Sequence, residues 1–224
     1  MVISNELIFI LHVLTVAGFT LGSLAMGRTA LTATICLYGI LSNLFVTKQI
    51  TLFGFSVVST DVFAVGGILG LNLIQEYFGM EATKRAIVLN AGLLLFYLTT
   101  SLFLLWYTPN QFDVMHNHFA CVLMHTPRIV IASMLVYLLV QFIDAHMYRF
   151  FKTMFNDKYL VSRNMASLMI SQFLDTLLFS FAALYGIVHS VGNIIVISYA
   201  IKILVIIGTV PFVKISRLII KPND

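Results

Sequence analysis

The chain has 224 residues, 60% hydrophobic and 10% charged, with a formal net charge of +4 and a mean hydropathy of +0.99. A soluble domain carries about 25% charged residues, so these values exclude an ordinary soluble globule and predict an all-α, polytopic transmembrane helix bundle. The positive excess is small and falls at segment ends, which makes it a topology signal and not a nucleic-acid footprint.

The start, MVISNELIFI, has no basic n-region and no small-residue cleavage site, and predicts no removable signal peptide. Crossing the hydrocarbon core takes about 20 apolar residues. Seven candidate spans follow in order: roughly 5–26, 30–47, 60–78, 86–107, 127–150, 163–186 and 190–213. Merging or losing the first leaves six. The stretch KQITLFGFSVVS after the second is too short and too alternating to span, and reads as a re-entrant or surface piece. The third span is the weakest, being rich in Gly and polar residues, but Gly66 and Gly70 let another helix approach closely. His116, His118 and His125 crowd the loop after the fourth span in a spacing that matches no common zinc motif. His12 and His146 lie near span ends and read as interfacial groups. Thr126-Pro127 opens the fifth span with Pro at the first helical position. Pro211 is placed to bend the seventh. Cys36 and Cys121 are too few and too far apart for a disulfide framework or a metal knuckle. No metal and no cofactor are expected. No polar stretch is long enough for a second domain, so residues 1–224 are read as one integral membrane unit.

Basic residues set the orientation. With the C-terminus cytoplasmic, the inside set is Arg28, Lys84, Arg85, Arg149, Lys152, Lys158, Arg163, Lys214, Arg217 and Lys221, against Lys48 and Arg128 outside. That asymmetry obeys the positive-inside rule, and seven spans then put the N-terminus outside.

Polar residues remain at membrane depth: Asn43, Asn72, Gln75, Glu76, Gln141, Asp144, Gln172, Asp175 and Lys202. Each charge at a helix centre costs about 2.5–3.5 kcal/mol, so these groups must face the bundle interior or a water-filled cavity. The tetrapeptides QFID (141–144) and QFLD (172–175) each put an amide and a carboxylate on one helix face. Asn72 and Glu76 do likewise, one helical turn apart. Counted from a turn near Val188, Asp175 and Lys202 lie at nearly equal depth, where they can neutralise each other. Asp144 lies about five residues nearer the cytoplasm, roughly 7 Å along a helix. A blander reading stands beside the cavity: Gln141, Asn43 and Gln75 as interhelical glue, and Asp175–Lys202 as a structural ion pair.

The chain resembles the queuosine precursor transporters, small integral membrane proteins also grouped with vitamin uptake transporters. The blocks that carry this are SNLFVTKQITLFGF (42–55), IQEYFGMEATKRAI (74–87), RIVIASMLVYLLVQFIDAHMYRFFK (128–152), RNMASLMISQFLDTLLF (163–179) and YAIKILVIIGTVPF (199–212). They include Asn43, Lys48, Arg163, Asn164, Ser167, Gln172, Asp175, Thr176, Lys202, Thr209 and Pro211. The resemblance covers about residues 40–213, leaving the helix at 5–26 outside it. One departure is Asn72, where the family usually has an Asp; Asp61 does not align with that Asp.

The resemblance implies import of a 7-deazaguanine (queuine, or its 7-cyano or 7-aminomethyl precursor) across the cell membrane, for salvage into transfer-RNA queuosine, with no contact to RNA by this chain. Such a ligand offers two neighbouring donors and a carbonyl acceptor. A carboxylate accepts from both donors, and an amide or lysine donates to the carbonyl. On this reading Glu76 and Asp175 are the foremost ligand contacts. Asn43, Asn72, Gln141, Asp144, Asn164 and Gln172 line the site or path, and Lys202 donates to the carbonyl or restrains Asp175. Phe142, Tyr137, Phe173 and Tyr199 supply stacking faces. No GxxxxGK[ST] loop is present, so an ATPase, if used, comes from elsewhere. Proton-linked and facilitative transport both stay open, as does homo-oligomerisation. Two other classes compete: a structural or assembly subunit, and an intramembrane aspartyl protease using Asp144 and Asp175 as a proton-sharing pair. The last lacks any Gly-x-Gly-Asp.

Overall fold

A computed structural model describes residues 4–45, 48–123, 127–156, 158–184 and 191–219. The turn near Val188, His125 and Thr126, and Lys221 lie outside the described residues. The chain runs α1 (Asn5–Ala25), α2 (Arg28–Phe45), β1 (Gln49–Leu52), β2 (Phe55–Val58), α3 (Asp61–Trp106), α4 (His116–Leu123), α5 (Pro127–Met154), α6 (Leu160–Phe179) and α7 (Val191–Ile219). A π-helical turn, Ser180–Leu184, extends α6. It is a membrane-type all-α bundle with one small hairpin. Among the described residues, five segments are long and apolar enough to cross a bilayer, including the 46-residue α3. The bundle's outer faces are apolar: Leu7, Leu11 and Leu14 on α1 and Leu95, Phe96 and Phe103 on α3 are exposed, as side chains facing lipid would be.

Serine, glycine and β-turn chemistry fix the ends. Ser4 caps α1 by accepting from the Leu7 amide at 3.3 Å. Gly27, with φ of 100°, turns the chain into α2, and the Ser23 and Thr34 hydroxyls close that corner at 2.5 Å. The segment read as re-entrant or superficial is a surface hairpin. Its two turn residues, Phe53 and Gly54, both have positive φ (50° and 82°), the requirement of a type I′ turn. Asn5 Nδ2 donates to the Thr51 carbonyl and the Phe53 amide donates to Glu6, pinning the hairpin to the start of α1.

Helix α3 is two arms joined at Gly79, where φ 84° and ψ 171° break the helix. Gly66 in the first arm (61–78) faces Tyr38 of α2, and Asn90 in the second arm (80–106) faces Gly39 of α2. Both arms therefore reach the same level of α2, and the chain doubles back at Gly79. The first arm, rich in Gly and polar residues, is the most enclosed: residues 65–75 are buried without interruption. Its glycines are the cause. A Cβ on Gly66 would run into Val16 of α1, and one on Gly70 would lie 2.7 Å from Ile35 of α2. Small residues there admit neighbours on every side, so the arm needs little apolar surface for lipid. Helix α7 continues through Pro211.

Candidate functional site

A cavity of about 380 Å³ opens in the half of the bundle that carries the hairpin. It is built where five helices bring the same end together: the C-terminal part of α2, the start of α3, the N-terminal half of α5, the C-terminal half of α6 and the N-terminal half of α7. Ser133, Tyr137, Val140 and Gln141 line it from α5, and Gln172, Asp175, Thr176 and Phe179 from α6. These are successive turns of single helix faces. Gly39, Ser42 and Asn43 come from α2, Ser198 and Lys202 from α7, and Asp61, Phe63 and Asn90 from the two arms of α3.

One wall is charged. Lys202 Nζ donates to Asp175 Oδ2 at 2.5 Å and lies 3.9 Å from Asp61 Oδ1. This is the Asp175–Lys202 pairing that the depth count predicted. Ser198 Oγ donates to the other oxygen of Asp61 at 3.4 Å. The set carries two carboxylates to one ammonium. Lys202 is 5% exposed and Asp175 25%, so the lysine is enclosed while one carboxylate reaches the cavity.

The rest of the lining is amide and hydroxyl. Asn43 Nδ2 donates to the Gly39 carbonyl at 3.0 Å, and Ser133 Oγ donates to Asn43 Oδ1 at 3.4 Å. Asn90 donates to the Tyr137 hydroxyl. Gln172 has neither amide atom partnered among the described residues, and Gln141 Oε1 is unpartnered too. Buried amides are nearly always hydrogen-bonded in proteins. Bare ones beside a cavity are groups available to a ligand or to water.

Five of the nine sequence candidates therefore line one cavity: Asn43, Gln141, Gln172, Asp175 and Lys202. The other four do not. Glu76 lies toward the opposite end, engaged by Arg163 through Oε1 and through Oε2 by the Tyr148 hydroxyl at 3.2 Å and Lys152 at 3.5 Å. Asp144 is buried between α5 and α6, where the hydroxyls of Ser167 (2.7 Å) and Ser171 donate to its Oδ1. Asn72 and Asn164 are buried with unpartnered amides outside the cavity lining. The spacing that put Asn72 with Glu76 is a property of one helix. Which neighbour that helix meets at each level is a property of the packing. The stacking candidates change for the same reason. Tyr137 lines the cavity, but Phe142 and Phe173 face outward and Tyr199 packs edge-on against Phe173. Phe63, Phe179 and Tyr38 take their places.

Two cavity residues with a carboxylate or amide escaped the sequence reading. Asp61 sits at the first position of α3 and looks like a helix-start acid. Asn90 is a single amide in an apolar run, and that isolation was the signal that could have marked it. The proton-sharing pair of an aspartyl protease does not form: Asp144 pairs with two serines and Asp175 with Lys202.

A family model described as "Putative vitamin uptake transporter" matches residues 62–216, more than two thirds of the chain. A curated relative from Bacillus subtilis (strain 168), named "Probable queuosine precursor transporter", is 26% identical over 195 residues, or 86% of this chain and 82% of the relative. No solved structure matches. The family match starts at the first arm of α3 and takes in α5, α6 and α7, which supply most of the cavity wall. This multi-pass membrane protein belongs to that vitamin uptake transporter family.

Proposed function

We propose that the chain imports a 7-deazaguanine, queuine or its 7-cyano or 7-aminomethyl precursor, for salvage into queuosine. The observation that carries this reading is that carboxylates (Asp61, Asp175) and unpartnered buried amides (Gln141, Gln172) line one 380 Å³ cavity together. Small-molecule sites span about 300–1,000 Å³, which suits a fused two-ring base. Asp61 Oδ1, 3.9 Å from Lys202, accepts no hydrogen bond among the described residues. It accepts from the ring N–H and 2-amino group, and the Gln172 amide donates to the carbonyl. Asp175 and Lys202 hold Asp61 in register, and Asn43, Gln141 and Asn90 meet the far edge. Tyr137 and Phe63 sandwich the ring. Glu76, Asn72, Asp144 and Asn164 lie outside the cavity lining and do not touch the ligand.

Support for the substrate class comes from the Bacillus subtilis relative's name and from the sequence blocks shared with that family. The topology proposed with it has seven passes, the C-terminus in the cytoplasm of a bacterial-type inner membrane, and the cavity facing outward. Uptake of labelled queuine into cells expressing the chain tests the reading, with unlabelled queuine, the two precursors and guanine as competitors. Asp61→Asn and Gln172→Ala are expected to cut uptake at least tenfold, the loss of one charge-assisted and one neutral hydrogen bond to the ligand (together about 2–4.5 kcal/mol). Both variants inserting normally and transporting at the parental rate would sink this site assignment.

A further inference from the structure

Three of the four carboxylates at membrane depth have a basic partner: Asp61 and Asp175 share Lys202, and Glu76 is held by Arg163 and Lys152. Asp144 is the exception among the described residues. It is 1% exposed, and its recorded partners are two hydroxyls, Ser167 and Ser171. The charged and titratable groups on the helices packed around it are accounted for elsewhere. On α6, Arg163 is engaged by Glu76 and Asp175 by Lys202; on α3 the group is Glu76 itself; on α5, Tyr148 and Lys152 reach Glu76, and His146 is exposed with its ring against the Phe142 carbonyl. An ionised carboxylate in a low-dielectric interior without a counter-charge is neutralised instead.

What neutralises it follows from the donors at hand. A sodium ion needs several oxygens, and transporters usually supply them from unwound backbone at the site. Here Asp144, Ser167 and Ser171 all lie inside uninterrupted α-helix, so the local carbonyls are committed. Two hydroxyls on one oxygen leave the other free for a proton. Unpartnered amide oxygens stand one turn away along each helix: Gln141 Oε1 on the cavity side, Asn164 Oδ1 on the other. Gln141 lines the cavity and Asn164 does not. Asp144 thus lies between the cavity and the end of the bundle that Glu76 and Arg163 close.

We propose that Asp144 is the binding site of a driving proton, and that the chain is a proton symporter. The proton enters from the cavity past Gln141, rests on Asp144 Oδ2 and leaves past Asn164 toward the Glu76 end, while substrate occupies the cavity above. This rests on the import reading, and the experiment separates the two.

Full-length protein is reconstituted in proteoliposomes with the membrane potential clamped, and labelled 7-cyano-7-deazaguanine, which carries no charge, is the probe. Counterflow against the unlabelled compound tests import alone, and an acid-outside gradient tests coupling. Each pH unit is expected to sustain up to ~10-fold accumulation for one proton per substrate, with acidification of the lumen. D144N is expected to keep counterflow within about twofold of the parent, because Asp144 does not touch the cavity, and to lose gradient-driven accumulation altogether. No counterflow in the parent overturns the import reading. Counterflow without response to the pH gradient overturns the proton inference alone, as does accumulation driven by sodium or retained in D144N. Should D144N fail to insert, Ser167→Ala with Ser171→Ala keeps the carboxylate and removes two donors that favour its ionised form. The pH profile of uptake then moves relative to the parent, and an unmoved profile overturns the assignment.

Discussion

Replacing Lys202 by Met removes the ammonium that Asp175 and Asp61 share while nearly preserving side-chain length. Removing one partner of a buried ion pair costs about 3–5 kcal/mol, because the other charge is left in low dielectric. Asp175 is 25% exposed, so water in the cavity screens part of that loss, and the low end, about 3 kcal/mol, is expected. For a chain of this size that lowers the unfolding midpoint by about 6–12 °C. Asp175→Asn is milder, because Lys202 keeps Asp61 at 3.9 Å and closes on it. The double variant is expected to be less destabilised than the sum of the singles by about 1–3 kcal/mol, the coupling of contacting residues. Thermal unfolding in detergent micelles, followed by size exclusion, reads all three. Lys202→Met within about 2 °C of the parent, or strict additivity in the cycle, would refute the view that the lysine neutralises this wall.

The glycines give a contrasting pair. Gly79→Ala forces a side chain onto a backbone region essentially reserved for glycine (φ 84°, ψ 171°) and is expected to cost about 1–3 kcal/mol, whereas Gly92→Ala, mid-helix with open space around its Cβ position, gains about 0.5–1 kcal/mol; the same micelle assay orders them. Gly39→Ala puts a Cβ 2.5 Å from Asn90 Oδ1, so it is expected to displace Asn90 from Tyr137 and lower substrate affinity several-fold in a competition assay with little loss of expression. Cys121 is exposed on α4 and Cys36 is buried in α2; a membrane-impermeant maleimide added to intact cells is expected to label Cys121 alone, and protection of Cys121 until the cells are opened would reverse the proposed orientation.

Hydropathy and charge were enough to find the helical rods, because solvating a helix in lipid is a sum over its own residues. The spans at 60–78 and 86–107 correspond to the two arms of α3, and GMEATKR between them holds the Gly79 break. The hairpin at 49–58 was legible only as a segment that does not cross. Its Phe53-Gly54 turn has the positive φ values of a type I′ turn, but Phe at that position hides the usual turn signature.

The sequence by itself determined that the chain lives in a bilayer, that carboxylates and amides are kept inside it, and that Asp175 and Lys202 lie at nearly equal depth. These follow from composition, helical period and depth counted from the turn between the sixth and seventh spans. Only the tertiary structure decided which polar residues share a space. Glu76, one helix turn from Asn72, is drawn to Arg163, Lys152 and Tyr148 by helices α5 and α6, and Asp61, which reads as a helix-start acid, is carried to Lys202 by the packing of α3 on α7. The two tetrapeptides show the physical reason most clearly. QFID and QFLD present the same groups, but one aspartate meets two serines and the other a lysine. A helix face is written in the local sequence, whereas its partner is set by which helix lies opposite.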